Sequence, residues 1–490
     1  MTRVVLFNPR SAQWKHRLPM SLLSIGALIE GRHDYTIIDG NLEADPEGAL
    51  EREISEHGAT VLGVTVMPGP QLRTAIPITK RLKQKHPHVT TVWGGYFPSL
   101  HTETVLRSGF VDIAVVGQGD STFSELLDAD LHPDGIAGLA YPRNGGVVRT
   151  PPRPLRDPNT LPRWPYHRVD MPRYLGPSYL GSRTTSFHSS IGCPFLCSFC
   201  AVAGVFTGRW LAVDAEPLAD EMLRLKSEYG IDAVQFIDSN FFVAEKRARR
   251  FAELMRGSGI AWWGEARPDT LMKFDDATLQ AMADSRCRMI FFGAETGSDI
   301  ALELMDKGGT QTGSTVLELC ARSRKFGIIP ELSFVFGLPS DDVAGDVERD
   351  IRFIRECKRI NPDAEIVFYV YSPVHFENTA LQREAARFGF RFPERLEDWL
   401  LPEWQEFDMR RNAVTPWITD DIVRRIREFE LVLNSKFPTI SDLRLTPGRR
   451  RVLKSLGAWR YRYGLYRRPY ELRLVANRLF KYRRPEVEGF

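Results

Sequence analysis

Two series of short β-branched and aromatic runs, separated by amphipathic stretches, make up most of the first 375 residues of this chain. The first series ends near residue 116, and the second begins near Thr185. Strands that alternate with helices form parallel sheets, because each helix returns the chain to the edge at which the next strand starts. The pattern therefore predicts an α/β protein with two successive parallel sheets.

The first series predicts a doubly wound, Rossmann-like sheet domain over residues 1–140. Turns rich in glycine, proline and asparagine follow its strands, and ligands of such folds lie outside the carboxyl ends of the strands, where these turns are. The strands are predicted at 4–7, 36–38, 61–66, 89–93 and 113–116.

The remaining chain divides into three predicted parts. Residues 141–183 are rich in proline and have little periodicity, which is typical of a linker. Six predicted strands alternate with helices over residues 184–375, which favours a partial (βα)6 barrel of the TIM type. Residues 376–490 are predicted to form a small helical C-terminal region that ends in a basic tail.

Composition limits the class of protein. The 490 residues are 43% hydrophobic and 26% charged, as in soluble globular proteins with several domains. No apolar run is long enough to span a bilayer, and the start of the chain lacks a signal-peptide pattern, so we expect a cytoplasmic location. Six cysteines are too few for a disulfide scaffold. We expect Cys287, Cys320 and Cys357 to be buried structural thiols.

The other three cysteines indicate a metal site. Cys193, Cys197 and Cys200 have the spacing C-x3-C-x2-C after a predicted strand. Thiolates are soft, charged ligands for iron, and three of them can bind a [4Fe-4S] cluster and leave one iron open to chelate a small molecule. A zinc site is the alternative, but it usually needs a fourth ligand, for which His188 is the only local candidate.

This loop, with Phe199 before its last cysteine, resembles the signature of the radical S-adenosylmethionine (SAM) superfamily. In that family, further motifs follow successive barrel strands and line the SAM pocket. The corresponding segments here are 236–241, 265–269, 292–298 and 336–339.

The resemblance implies roles for four residues besides the cluster cysteines and Phe199. Asp238 and Asn240 would lie near the amino group of SAM, Arg267 near its carboxylate, and Glu295 would accept hydrogen bonds from the ribose hydroxyls. Alternatives remain for three of them: Asp238 and Asn240 could cap the helix that follows, and Arg267 could form a structural ion pair with Asp269.

The N-terminal domain resembles the cobalamin-binding domains of a radical SAM subgroup that contains class B methyltransferases and anaerobic cyclases. The motif D-x-H-x-x-G, which supplies a histidine to cobalt in many cobalamin proteins, is absent from the turns that directly follow the predicted strands; the one match in the chain, residues 130–135, lies beyond them. The resemblance therefore implies that the lower face of cobalamin meets the loop 66–71 without histidine ligation. Glycines at βα turns are also needed by any doubly wound domain. The implied cobalamin-binding residues are Asn8, Met67, Pro68, Gly69, Gly94, Gly95, Gly117 and Gly119.

The resemblance implies a C-methyltransferase that acts on an unactivated carbon through a 5′-deoxyadenosyl radical and methylcobalamin. Its partners would be a small-molecule or lipid-like substrate and an external electron donor of the flavodoxin or ferredoxin type. Two alternatives stay open: a cobalamin-dependent cyclase or oxidative rearrangement enzyme, and a non-catalytic cobalamin or iron-sulfur sensor.

Positive charge is concentrated at the end of the chain. Residues 449–484 contain thirteen lysines and arginines and one acid, Glu471, whereas the whole chain has a net charge of only +3. We therefore expect no nucleic-acid partner for the molecule as a whole. Cations and aromatic rings interleave over 459–470. The pattern favours a packed helix pair with a solvated basic face, and the alternative is peripheral contact with the anionic cytoplasmic face of a membrane.

Overall fold

The first sheet has seven strands. The computed structural model describes residues 2–11, 17–307, 309–405 and 414–482. The strands are β1 (Arg3–Asn8), β2 (Asp34–Asp39), β3 (Val61–Thr65), β4 (Thr90–Gly94), β5 (Ile113–Val115), β6 (Leu139–Arg143) and β7 (Gly146–Arg149). Their order is β2-β1-β3-β4-β5-β6-β7, and the first five are parallel.

Helices cover both faces of this sheet. Side chains along β1 alternate between the two faces, so that Val4 and Leu6 join one hydrophobic core and Val5 and Phe7 join the other. This arrangement confirms the predicted doubly wound fold. The helices are α1 (Met20–Ile29), α2 (Pro46–Ser55), α3 (Leu72–Lys85), α4 (Tyr96–Leu100), α5 (Thr102–Leu106) and α6 (Asp120–Asp128).

The first sheet extends beyond the boundary predicted at residue 140. Strands β6 and β7 form an antiparallel hairpin that pairs with β5, so residues up to Arg149 belong to the sheet. The hairpin breaks the βα alternation that marked the domain in the sequence. For that reason the predicted boundary at residue 140 falls inside β6, and β7 lies in the predicted linker.

The proline-rich segment that follows is packed rather than free. It forms short 3-10 turns at Pro158–Thr160, Tyr166–Arg168 and Met171–Tyr174. Tyr166, Met171 and Tyr174 are buried in the core of the second domain. The Tyr174 hydroxyl also donates a hydrogen bond to Asp39, at 2.8 Å, so the segment connects the two domains through specific contacts.

The second sheet is an open barrel of six parallel strands. Its strands occur in the order β15-β14-β13-β12-β11-β8, and a separate antiparallel pair, β9 and β10, precedes the first long helix. This confirms the predicted partial barrel. The strands are β8 (Thr184–Phe187), β9 (Ser190–Gly192), β10 (Trp210–Ala212), β11 (Ala233–Phe236), β12 (Ala261–Ala266), β13 (Cys287–Glu295), β14 (Ile329–Phe336) and β15 (Glu365–Val370).

The barrel helices lie between these strands, and their apolar faces form the largest core of the molecule together with the strands. They are α7 (Ala201–Phe206), α8 (Ala215–Tyr229), α9 (Glu245–Met255), α10 (Pro268–Leu271), α11 (Asp276–Asp284), α12 (Asp299–Leu304), α13 (Gly313–Phe326) and α14 (Val343–Ile360).

The C-terminal region is helical, as predicted, but it divides its packing between the two other domains. Leu396 and Trp399, in a 3-10 helix at Leu396–Leu400, enter the core of the first domain. Phe429 and Val432 enter the barrel core. The helices are α15 (Ala380–Arg387), α16 (Pro402–Gln405), α17 (Asp420–Lys436), α18 (Pro447–Tyr463) and α19 (Tyr470–Leu472), which continues into a π-helical segment, Arg473–Leu479.

No helix in the described ranges is long and apolar enough to span a bilayer. Arg483 and Arg484, the last two cations of the predicted basic tail, lie outside the described residues.

Candidate functional site

The cysteine loop begins where β9 ends. Gly192 has φ +75°, and a Cβ there would lie 2.1 Å from the carbonyl oxygen of Arg209, so only glycine fits this turn. The loop continues to Cys200, immediately before α7. The backbone N–H of Ser198 donates to the carbonyl of Met305 at 3.1 Å. The three cysteines are thus held between β9, α7 and the end of α12, and none of them is in a disulfide.

The surroundings of the cysteines fit an iron-sulfur cluster. Burial raises the pKa of all three thiols, that of Cys200 to about 12, while Lys307 and Arg267 act in the opposite direction on the pKa of Cys197. Fixed cations of this kind stabilise thiolates bound to iron.

The guanidinium of Arg267 is held by contacts within the protein. Its Nε donates to Asp269 at 2.9 Å, its Nη1 to the sulfur of Cys197 at 3.1 Å, and its guanidinium lies 4.0 Å from the ring centre of Phe195. Both members of the ion pair are almost fully buried. The structural alternative for Arg267 is therefore present, and the same side chain also contacts the cluster loop.

Asp238 and Asn240 follow β11, and both residues are buried. Asp238 accepts hydrogen bonds from Ser189 and from the Ser190 hydroxyl, the latter at 2.6 Å, and so ties β11 to the strand before the cysteines. Asn240 accepts from the N–H of Phe242, so it caps a turn rather than α9, which starts at Glu245. Its Nδ2 is buried without a partner among the described residues.

Glu295 ends β13 at a left-handed residue, with φ +63°, where the pairing with β14 shifts register. Its carboxylate accepts from Lys307 at 2.6 Å and from the Ser333 hydroxyl at 3.4 Å. Gly293 leaves room for this pair, because a Cβ there would lie 2.3 Å from Oε1 of Glu295. The Lys307 ammonium also lies 5.6 Å from the ring centre of Phe199.

A cavity of about 1140 Å³ lies between the carboxyl ends of the two sheets. Residues of both domains form its wall, and ten of the sixteen predicted site residues line it. The other six, all in the described ranges, do not line it: Cys193, Cys197, Asp238, Asn240, Arg267 and Gly69. Those that line it are Asn8, Met67, Pro68, Gly94, Gly95, Gly117, Gly119, Phe199, Cys200 and Glu295.

A buried amide network fixes the N-terminal loops of this wall. Gln71, which the sequence did not single out as a site residue, accepts from the backbone N–H of Met67 at 2.7 Å and donates to Asn8 at 2.9 Å. Asn8 in turn donates to Asp39 at 3.0 Å. Gly95 has φ +102°, and a Cβ there would lie 2.8 Å from the carbonyl of Val66. The loops after β1, β3 and β4 therefore form one connected surface.

Three further polar residues line the cavity. Burial raises the pKa of Glu265 to about 8, and it lowers the pKa of His188. Tyr96, from the first domain, lies beside Ser239 and Cys200 of the barrel. Glu265 ends a predicted strand and Tyr96 follows one, which is the sequence signal for both residues; for His188 the sequence indicates only a candidate zinc ligand.

Comparisons with known proteins agree with this architecture. A B12-binding domain model matches residues 18–127, and a radical SAM superfamily model matches residues 188–354. An uncharacterised methyltransferase of Pyrococcus horikoshii is 30% identical over 345 residues, which cover 69% of this chain and 73% of that protein. An anaerobic magnesium-protoporphyrin IX monomethyl ester cyclase of Synechocystis is 24% identical over 432 residues, 83% of each chain.

A solved structure has the same layout. The radical SAM methyltransferase TsrM from Kitasatospora setae, with cobalamin and a [4Fe-4S] cluster bound, superposes with a TM-score of 0.62 at 19% identity, over 79% of this chain and 75% of that chain. The chain belongs to the radical SAM enzymes that carry a B12-binding domain, and its cofactors are a [4Fe-4S] cluster, SAM and cobalamin.

Proposed function

We propose that the enzyme transfers a methyl group to an unactivated carbon of a small-molecule or lipid-like substrate. The observation that supports this most directly is the shared cavity, in which the loops of the B12-binding domain face Cys200, Phe199 and Glu295 of the barrel. When bound, the cofactors supply an electron, a 5′-deoxyadenosyl radical and a methyl group. The protein has to hold them in one water-poor space.

The barrel residues would divide into two groups. Cys193, Cys197 and Cys200 would ligate the cluster, with Arg267 beside Cys197 as a fixed positive charge. Glu295 would accept from the ribose hydroxyls of SAM, and Phe199 would form the wall next to it. Asp238 and Asn240, which do not line the cavity, would act by holding the segment that contains Ser239.

The first domain would bind cobalamin through the loops at the carboxyl ends of its strands. Asn8 would help to orient the loop after β3, because its side-chain oxygen accepts a hydrogen bond from Gln71, a residue of that loop. Gly69, with φ +95°, would shape that loop. The other residues proposed for cobalamin contact are Met67, Pro68, Gly94, Gly95, Gly117 and Gly119.

The reaction needs one electron from outside the chain. We propose a flavodoxin or ferredoxin as donor and the cytoplasm as the compartment, because it keeps cysteines reduced. A cyclase or oxidative rearrangement is the second candidate, supported by the similarity to the Synechocystis cyclase over most of both chains.

The first experiment uses protein purified without oxygen and incubated with hydroxocobalamin. We expect about four iron atoms and one cobalt per chain, and 5′-deoxyadenosine on reduction with SAM. Cys197→Ala should lose the cluster absorbance and SAM cleavage, whereas the matched variant Cys287→Ala, at a buried thiol outside the loop, should keep both. A Cys197→Ala protein that retains both would refute the cluster assignment, and protein without cobalt would refute the methylcobalamin step.

SAM with an isotopically labelled methyl group separates the two candidate reactions. A methyltransferase incubated with a metabolite extract gives a product that carries the label. A cyclase gives a product that has lost hydrogen and gained no label.

A further inference from the structure

A strip of apolar side chains is exposed along α18. Val452, Trp459 and Tyr463 have exposed fractions of 45%, 44% and 67%, and their spacing of seven and four residues places them in one line on the helix. Another face of α18 is buried: a Cβ at Gly457 would lie 2.6 Å from the backbone nitrogen of Lys436 in α17. The helix is therefore anchored through one face while its apolar strip faces solvent.

Exposed apolar residues continue beyond α18. Leu465 is exposed in the turn that follows, and Tyr470, Leu474 and Leu479 are exposed in the next helical segment. Single exposed hydrophobic residues are ordinary on protein surfaces. Here nine of the fourteen large hydrophobic residues exposed in the described ranges lie between Ile440 and Leu479, so their concentration on this region needs an explanation.

Cations of two kinds accompany these side chains. Some are structural: Arg460 pairs with Glu471, and Arg473 pairs with Glu428. The others are exposed and form no ion pair with any described carboxylate, so their charge is available to a partner. They are Arg449, Arg451, Lys454, Arg462, Arg467, Arg468, Arg478 and Lys481.

We propose that α18 and the helical segment 470–479 form a peripheral binding surface for an anionic lipid bilayer. The apolar strip would enter the headgroup region and leave water, and the flanking arginines and lysines would contact lipid phosphates. Single-stranded RNA would use the same cations and the aromatic rings, but it would gain nothing from stacking on Val452, Leu474 or Leu479. None of these residues lines the cavity, so the inference does not rest on the proposed reaction.

The test is co-sedimentation of the full-length holoenzyme with vesicles of phosphatidylcholine alone and of phosphatidylcholine mixed with phosphatidylglycerol. We expect binding to the anionic vesicles only, and weaker binding as salt is added. Each arginine removed in Arg462→Gln, Arg467→Gln and Arg468→Gln should weaken binding about fivefold, as follows from ~1 kcal/mol per cation near the surface. Combining Trp459→Ser with Tyr463→Ser should weaken it at least about tenfold, through lost burial of apolar surface.

Matched variants on the barrel exterior provide the control. Leu223→Ser removes an apolar side chain that is 42% exposed on α8, and Lys246→Gln and Lys273→Gln remove exposed charges. These variants should bind vesicles like the wild type, and circular dichroism should show that all variants are folded. Three results would overturn the proposal: equal binding to both vesicle types, equal loss in the controls, or displacement of the vesicles by a single-stranded RNA oligomer that binds more tightly.

Discussion

The buried charges around the cluster loop occur as ion pairs. Two cations, Arg267 and Lys307, lie next to the cysteines, and each is paired with a buried carboxylate, Asp269 and Glu295 respectively. A buried ion whose partner is removed keeps its desolvation cost, so each pair is sensitive to the loss of one member. The pair of Lys307 with Glu295 has a second consequence, because this carboxylate is also the proposed acceptor for the ribose of SAM.

Glu295→Gln should weaken SAM binding about tenfold or more, because hydrogen bonds to a charged acceptor contribute ~1.5–3 kcal/mol. The iron content should stay at the wild-type value, since the cysteines are untouched. Affinity measured by equilibrium dialysis of the reconstituted protein checks this. Glu428→Gln, which also breaks a buried carboxylate's ion pair, serves as the control and should leave SAM affinity unchanged. Equal SAM affinity in Glu295→Gln and the wild type would refute the ribose role.

At the scale of elements, α17 and α18 approach each other so closely that their backbones nearly touch. Gly457 faces the backbone at Ser435 and Lys436 and has no space for a side chain. Leu453, one turn earlier in α18, is fully buried on the same side. A small residue at the crossing therefore lets the two helices pack and fixes the orientation of α18 on the barrel.

Gly457→Ala should lower the free energy of unfolding by ~1–3 kcal/mol, because the added methyl group has no room and the helices must separate. Gly448→Ala is the matched change in the first turn of the same helix, where a Cβ meets nothing within 4 Å. It should leave stability unchanged or raise it by up to ~1 kcal/mol through helix propensity. Urea denaturation followed by circular dichroism measures both. Equal stability of the two variants would contradict the close contact.

At the scale of the whole molecule, chain segments distant in sequence hold the two sheets around one cavity. The segment 150–183 packs its aromatic residues into the barrel and bonds to Asp39 of the first domain. The 3-10 helix Leu396–Leu400 of the C-terminal region packs into the core of the first domain. There the Trp399 ring lies 5.0 Å from Phe97 and 4.9 Å from His101, centre to centre. Burial lowers the pKa of His101 to about 3, so this histidine stays neutral in the aromatic cluster.

Trp399→Ala should lower the free energy of unfolding by ~3–5 kcal/mol, the usual cost of removing a large buried aromatic side chain. Trp459→Ala, at a tryptophan that is 44% exposed, should change it by no more than ~0.5 kcal/mol. Chemical denaturation monitored by far-ultraviolet circular dichroism compares the two variants. A small effect at Trp399 would mean that the C-terminal region does not stabilise the first domain.

The sequence by itself determined the two parallel sheets, because hydrophobic periodicity is a local property that each strand and helix carries. The family resemblance of short motifs also predicted that Phe199, Cys200 and Glu295 belong to one site, and the structure places all three in the lining of the cavity. The sequence did not predict the hairpin of β6 and β7, because an antiparallel strand pair interrupts the βα alternation from which the end of the first domain is inferred.

Only the tertiary structure decided which polar side chains face the cavity. Asp238 and Ser239 are neighbours in a strand-end loop, yet the first is bonded to Ser189 and Ser190 while the second lines the wall. Tyr96 and Glu265 became visible as cavity residues only when loops from both domains met. Their partners lie far away in sequence, and spacing along the chain carries no information about contacts formed when two separately encoded domains pack together.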